Sequence, residues 1–170
     1  TRLYGMYQFK KGALIAIRHM VTPTVAYTYT PNFGAPEWGY WQYIVNDTNQ
    51  NPQKYSIFQN GIYGGPAARK SGVVSFALSN NLEMKVRNRK DTITGTKKII
   101  LIEDLTLRET YDMTKDSMRW SKLSISAYTT LFKTLRISYA SSWDPYARDS
   151  QGHPVKTTEW DAHHRLFRLD

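Results

Sequence analysis

Residues 71–90, SGVVSFALSNNLEMKVRNRK, alternate between apolar and polar positions. Val74, Phe76, Leu78, Leu82, Met84 and Val86 share one parity, broken only by Asn80. Ser75, Ala77, Ser79, Asn81, Glu83, Lys85 and Arg87 share the other. A period of two belongs to a β-strand with one apolar and one polar face. Ordinary strands run to about 5–6 residues. A strand over 71–88 is about three times that, and at ~3.3 Å per residue it spans about 60 Å.

The same alternation predicts seven strands, over residues 2–10, 14–29, 71–88, 98–112, 118–130, 133–144 and 156–169. The fifth sets Leu123, Ile125 and Ala127 against Lys122, Ser124, Ser126 and Tyr128. The sixth sets Leu135, Ile137, Tyr139 and Trp143 against Arg136, Ser138, Ala140 and Ser142. In the fourth, Glu103 interrupts the face of Leu101, Leu105 and Leu107. Pro23 sits inside the second, where it implies an edge, a bulge or weak pairing, because proline donates no ladder hydrogen bond. Gly12, Gly95 and Gly152 lie in connections that tolerate positive φ.

Connections one, three and five are short or moderate, while the second, residues 31–69, is very long and the sixth exceeds its neighbours. Short turns on one side and long loops on the other form the outer-membrane barrel pattern. The fold class expected is therefore all-β, a transmembrane antiparallel β-barrel, with the whole of 1–170 inside one barrel domain. A soluble β-sandwich alternates similarly, but strands this long argue against it. Bilayer crossing needs only ~9–11 residues per strand, and the excess continues the wall beyond the membrane. Bacterial barrels have an even strand number of at least eight, and open edges in lipid are not viable. Both chain ends read as strand, so the expectation is a partial barrel cut from a longer protein.

Composition adds a partner class. Lys and Arg number 23 against 14 Asp and Glu, a net charge of +9. Such a surplus suits an anionic partner: nucleic acid, phosphorylated lipid or acidic polymer. The absence of cysteine excludes disulfides and thiolate metal sites within the chain. On the polar faces, Lys85, Arg87, Arg108, Lys122 and Arg136 are the candidate lumen contacts. Phe76, Leu78, Leu82, Leu123, Ile125 and Ile137 are the candidate lipid-facing set.

Other motifs are weak. GGPAARKS, residues 64–71, lacks the glycine before lysine that a phosphate loop needs and runs into strand rather than helix. His163 and His164, adjacent in the expected seventh strand, face opposite sides and chelate no common metal. No nucleophile turn with a catalytic constellation appears, so neither enzyme activity, nor a cofactor, nor a metal is expected. Asn46-Asp47-Thr48 matches a glycosylation sequon. The aromatic-rich segment 31–69 exceeds the ~12–15 residues of ordinary loops and is expected over a barrel mouth, at headgroup level, or as a structural cap.

The tracts AIRHMVTP (16–23), YGGP with the following KSG and NNLEMKVR, and DPYA (144–147) resemble the barrel domain of the lipopolysaccharide-assembly family LptD, as it occurs in Bacteroidetes. The likeness spans essentially the whole chain. It implies a C-terminal barrel of some two dozen strands or more, preceded by a periplasmic jellyroll and holding an LptE-like lipoprotein plug. It implies lipopolysaccharide delivered by periplasmic Lpt bridge proteins and released sideways through a gate, in the outer membrane of a Gram-negative cell, with membrane lipids around the barrel and no nucleic acid. The disulfides that tie jellyroll to barrel in proteobacterial members have no counterpart in this sequence. Two other readings stay open: a porin or TonB-dependent receptor barrel, and a soluble basic β-protein that binds nucleic acid.

Overall fold

A computed structural model describes residues 1–45, 52–90, 93–132 and 134–170. The chain is mostly antiparallel β. In chain order the elements are β1 (Leu3–Gln8), β2 (Leu14–Thr30), a 3-10 turn η1 (Pro36–Trp38), β3 (Trp41–Val45), β4 (Pro52–Ser56), β5 (Ser71–Arg87), β6 (Thr96–Asp112), β7 (Leu123–Leu131), β8 (Leu135–Asp144), β9 (Tyr146–Arg148), β10 (Pro154–Thr158), α1 (Glu159–His163) and β11 (Arg168–Leu169). Seven strands form one sheet in the order β1-β2-β5-β6-β7-β8-β11. Its two outer strands are different strands, so the sheet is open. The expectation of seven long strands, each beside its successor, holds for the first six.

Connections alternate as antiparallel order requires, with 9–13, 88–95 and 132–134 at one end and 31–70, 113–122 and 145–167 at the other. Asn88 N–H donates to Gly95 O at 2.8 Å, and Gly12 and Gly95 adopt φ of 99° and 62°, a region that glycine enters without a Cβ clash.

Pro23 lies inside β2, but β1 pairs only from Gln8↔Ala16 to Leu3↔Val21. The proline falls two residues beyond the last pair, so it forfeits no bond to β1. The wish for an edge is met locally, on a strand that is interior elsewhere.

The expected seventh strand, 156–169, is wrong. β10 pairs with β9 as a separate hairpin, α1 follows, and only Arg168–Leu169 join the sheet, opposite Asp144 and Trp143. The cause is an N-cap at Thr158. Thr158 Oγ1 accepts the Asp161 amide at 3.1 Å and donates to Asp161 Oδ2 at 2.7 Å, satisfying one amide that a helix start would leave orphaned. His163 closes this helix and His164 is its left-handed C-cap, so the two are not strand neighbours on opposite faces. His163 Nδ1 lies 2.8 Å from buried Glu159. The expected fifth strand also starts late, at Leu123 rather than 118. Residues before it contribute one bridge, Tyr111↔Trp120.

The chain divides into two compact units. The first comprises Thr1–Ala26, Ser75–Tyr111 and Trp120–Asp170, the second Tyr27–Val74 and Asp112–Arg119. In the second unit, β3 and β4 form a hairpin from Trp41↔Ser56 to Val45↔Pro52. Phe33, Trp38, Tyr40 and Phe58 cluster beside it, with centroids 5.2–6.1 Å apart and the Phe33–Trp38 and Tyr40–Phe58 pairs edge to face, and Lys54 lies over the Trp41 and Tyr43 rings while donating to Gly34 O. The described part of the long segment is thus built around these contacts. The glycosylation sequon Asn46–Thr48 lies outside the described residues. Gly64, with φ 67°, and its neighbours lead into β5 without a helix, which disposes of the phosphate-loop resemblance.

Among the described residues of the first unit, the buried apolar side chains are Tyr146 and Ala147. Tyr146 Oη accepts the Trp120 amide at 2.9 Å, and the Tyr146 amide donates to the buried Asp144 Oδ1 at 3.0 Å. Asp170 ties Lys122 to Arg148. The Lys122 ammonium hydrogen-bonded to Asp170, with Arg148 beside it, holds this carboxyl below the usual carboxylate range. A carboxyl depressed in the folded state stabilises above its unfolded pKa, and that contribution disappears as pH falls through the folded value. Asp170→Asn is therefore expected to flatten the acid side of the stability profile below about pH 4, with little change at neutral pH beyond the lost pair. Chemical denaturation at a series of pH values checks this.

Candidate functional site

The strand registers sort side chains into two faces. Leu105↔Ala127, Leu107↔Ile125, Leu123↔Trp143, Ala127↔Tyr139 and Thr129↔Ile137 make one face. Thr106↔Ser126, Arg108↔Ser124, Tyr128↔Ser138 and Thr130↔Arg136 make the other. β5 and β2 join the polar face through side-chain contacts. Ser79 Oγ lies 2.9 Å from Thr106 Oγ1, and Glu83 pairs with Lys98 at 2.7 Å and with Arg18. The odd parity of β5 therefore shares a surface with Arg108 and Arg18.

On the apolar face, Phe76, Leu78 and Leu123 line a shallow groove of about 250 Å³ with Leu107 and Val25. Ile137 lines a second with Leu105, Ala127 and Tyr139. Leu82 and Ile125 are half-buried on their strands. Phe76, Trp120 and Tyr111 form a ring stack near one end of this face. Among the described residues no helix is long and apolar enough to cross a membrane.

The five cations of the polar face differ in their ties. Lys85, Arg87 and Arg108 are exposed. Arg136 stacks on Tyr128, with its guanidinium carbon 4.7 Å from the ring centroid. Lys122 is bound to Asp170 and is the least available. Arg18, Lys98 and Glu83 were not singled out from the sequence as contacts, because the β2 pattern is irregular and only pairing brings Arg18, Glu83 and Lys98 together across three strands.

Both anomalies of the apolar parity have partners. Asn80 Oδ1 lies 3.2 Å from His19 Nε2 on β2, and its amide donates to Leu105 O at 3.2 Å. Asn81 Nδ2 donates to the carbonyls of Ile102 at 3.1 Å and Glu103 at 2.8 Å. Glu103 Oε1 accepts the Thr130 amide at 3.1 Å, a backbone group rather than a neighbouring cation. The β6–β7 pairing stops at Asp104↔Tyr128 although both strands continue. Glu103 thus supplies a partner to an amide beyond the end of the β6–β7 pairing, because a half-buried backbone group in a sheet needs some partner. Asn81→Leu leaves two carbonyls without that donor and is expected to cost about 1–3 kcal/mol. The unfolding midpoint in urea checks it, with Asn81→Gln recovering part of the loss.

Comparison with known proteins gives one result of substance. A family model described as LptD protein matches residues 1–146. No curated protein and no solved structure matches the chain.

Proposed function

The chain belongs to the LptD protein family, and from that premise we propose that its seven-stranded sheet is a section of an outer-membrane barrel wall along which lipopolysaccharide moves to the outer leaflet. The observation that carries this reading is the two-faced sheet, with apolar and polar residues segregated over antiparallel strands of up to 17 residues. At ~3.3 Å per residue such strands are about 55 Å long, more than the hydrocarbon core of a bilayer requires. The apolar face, with Phe76, Leu78, Leu82, Leu123, Ile125 and Ile137, turns to lipid. The polar face, with Lys85, Arg87, Arg108 and Arg136, turns to the lumen and meets the phosphorylated head group.

The chemistry is non-covalent. Guanidinium and ammonium groups bind phosphate through charge-assisted hydrogen bonds, and several weak contacts in series let the cargo move on instead of being trapped. An LptE-like plug and a periplasmic bridge are the partners that this role requires.

Photocrosslinking in living cells tests the reading. A crosslinking residue replaces Lys85 or Arg136, with Met84 and Ile137 on the apolar parity as controls. The reading predicts lipopolysaccharide adducts at the first pair, lost when energy for export is withdrawn. A correctly inserted barrel that yields no adducts at those positions would move the function to a porin or receptor.

A further inference from the structure

We propose that the cavity beside Glu83 binds the phosphate of an amphiphile, a phosphorylated lipid head with the first part of its chain. The cavity measures about 540 Å³, and its lining includes Arg18, Glu83, Lys85, Lys98, Met6 and Ala16. It rests on the polar face being the surface that transported lipid meets, and it assigns residues which that reading did not name.

The argument begins with Glu83, whose side chain is 12 % exposed. Each of its oxygens holds one cation, Oε2 the Arg18 guanidinium and Oε1 the Lys98 ammonium at 2.7 Å. The two cations come from the strands on either side of β5, so one carboxylate gathers them at one place. Neither is used up. Their side chains remain 48 % and 58 % exposed, with donors to spare, since guanidinium carries five and ammonium three. Lys85 lines the same cavity and makes no ion pair among the described residues. Three positive charges surround one negative, a surplus of two.

A phosphate monoester carries about −1.5 to −2 at neutral pH with three acceptor oxygens, which matches that surplus. The guanidinium fork suits phosphate geometry, and Glu83 orients it beforehand, so less conformational freedom is lost on binding. A bare phosphate ion has no use for Met6 and Ala16 in the wall. Methylene groups next to a head group do, because they leave water for apolar surface. The combination of cationic rim and apolar wall selects an amphiphile over a free ion.

The test is calorimetric titration of the full-length chain in neutral detergent with dihexanoyl phosphatidate, dihexanoyl phosphatidylcholine or inorganic phosphate. Saturable phosphatidate binding is expected, at least tenfold tighter than inorganic phosphate, with none for phosphatidylcholine. The triple variant Arg18→Gln, Glu83→Gln, Lys98→Gln removes the charges while keeping hydrogen-bonding groups, and should weaken phosphatidate binding at least tenfold. Lys85→Gln breaks no ion pair of the described residues, so it folds normally, and should weaken binding severalfold. Equal phosphatidate affinity for wild type and both variants, or no saturable binding at all, overturns the site. Inorganic phosphate binding as tightly as the lipid overturns the amphiphile, and equal binding of phosphatidylcholine overturns phosphate recognition. Lost binding together with normal lipopolysaccharide export in cells sustains the site and overturns the transport reading, so the two failures are separable.

Discussion

Replacing Lys85, Arg87, Arg108 and Arg136 together by glutamate is expected to cut the lipopolysaccharide reaching the cell surface at least tenfold while the protein still inserts and folds. Each is exposed on the polar face, so folding has little stake in its sign. The largest structural loss is the stacking of Arg136 on Tyr128, worth about 0.5–1 kcal/mol at an exposed site. The cargo's stake is larger. A hydrogen bond to a charged group contributes about 1.5–3 kcal/mol, and reversal replaces each attraction with repulsion toward phosphate. Single substitutions should do little, because four sites share the load. Lys122 is left out deliberately, since its salt bridge to Asp170 would confound a loss of export with a loss of structure. Surface lipopolysaccharide measured beside heat-modifiable migration of the barrel decides the matter. Normal export from a folded quadruple variant would sink the proposed lumen face.

Tyr146→Ala is expected to be the most destabilising single change in the first unit, by about 3–5 kcal/mol. Tyr146 is one of two buried apolar residues among the described residues of that unit, 6 % exposed. Its ring is buried, and truncation leaves a cavity that the hydrogen-bonded segment 144–149 has little freedom to close. Its hydroxyl also accepts the Trp120 amide, so the change releases the residue whose ring packs on Tyr111 and Phe76, at 4.8 and 6.1 Å. Tyr146→Phe separates the two effects and should cost only about 0.5–1.5 kcal/mol, the ordinary net value of one hydrogen bond. Urea unfolding in detergent, followed by tryptophan emission, measures both. Equal midpoints for Ala and Phe variants would mean that the ring carries none of the packing assigned to it.

The fold was legible wherever alternation ran without interruption. β5, β6 and β8 begin and end within two residues of the bounds that parity predicts, because a two-residue period leaves only the choice of which face is which. The last strand was not legible, although its signal was present. Thr158 with an acid three residues on is a helix-start pattern, but the apolar spacing of 156–169 suggested strand, and local hydrogen bonds at Thr158 outweighed that pattern.

The sites divide along the same line. The sequence alone determined that there are two faces and which side chains share each face within a strand, because successive Cβ atoms point to opposite sides. Only the tertiary structure decided which residues meet across strands, because register is set by pairing and not by parity. It brings Arg18 and Lys98 to the two oxygens of Glu83, gives Asn80 to His19, turns Glu103 to the Thr130 amide and binds Lys122 to Asp170. Charges that look equivalent along the chain thus become different things in the sheet. Some stay exposed on the polar face, one is tied down, and two that the pattern passed over are gathered around a carboxylate.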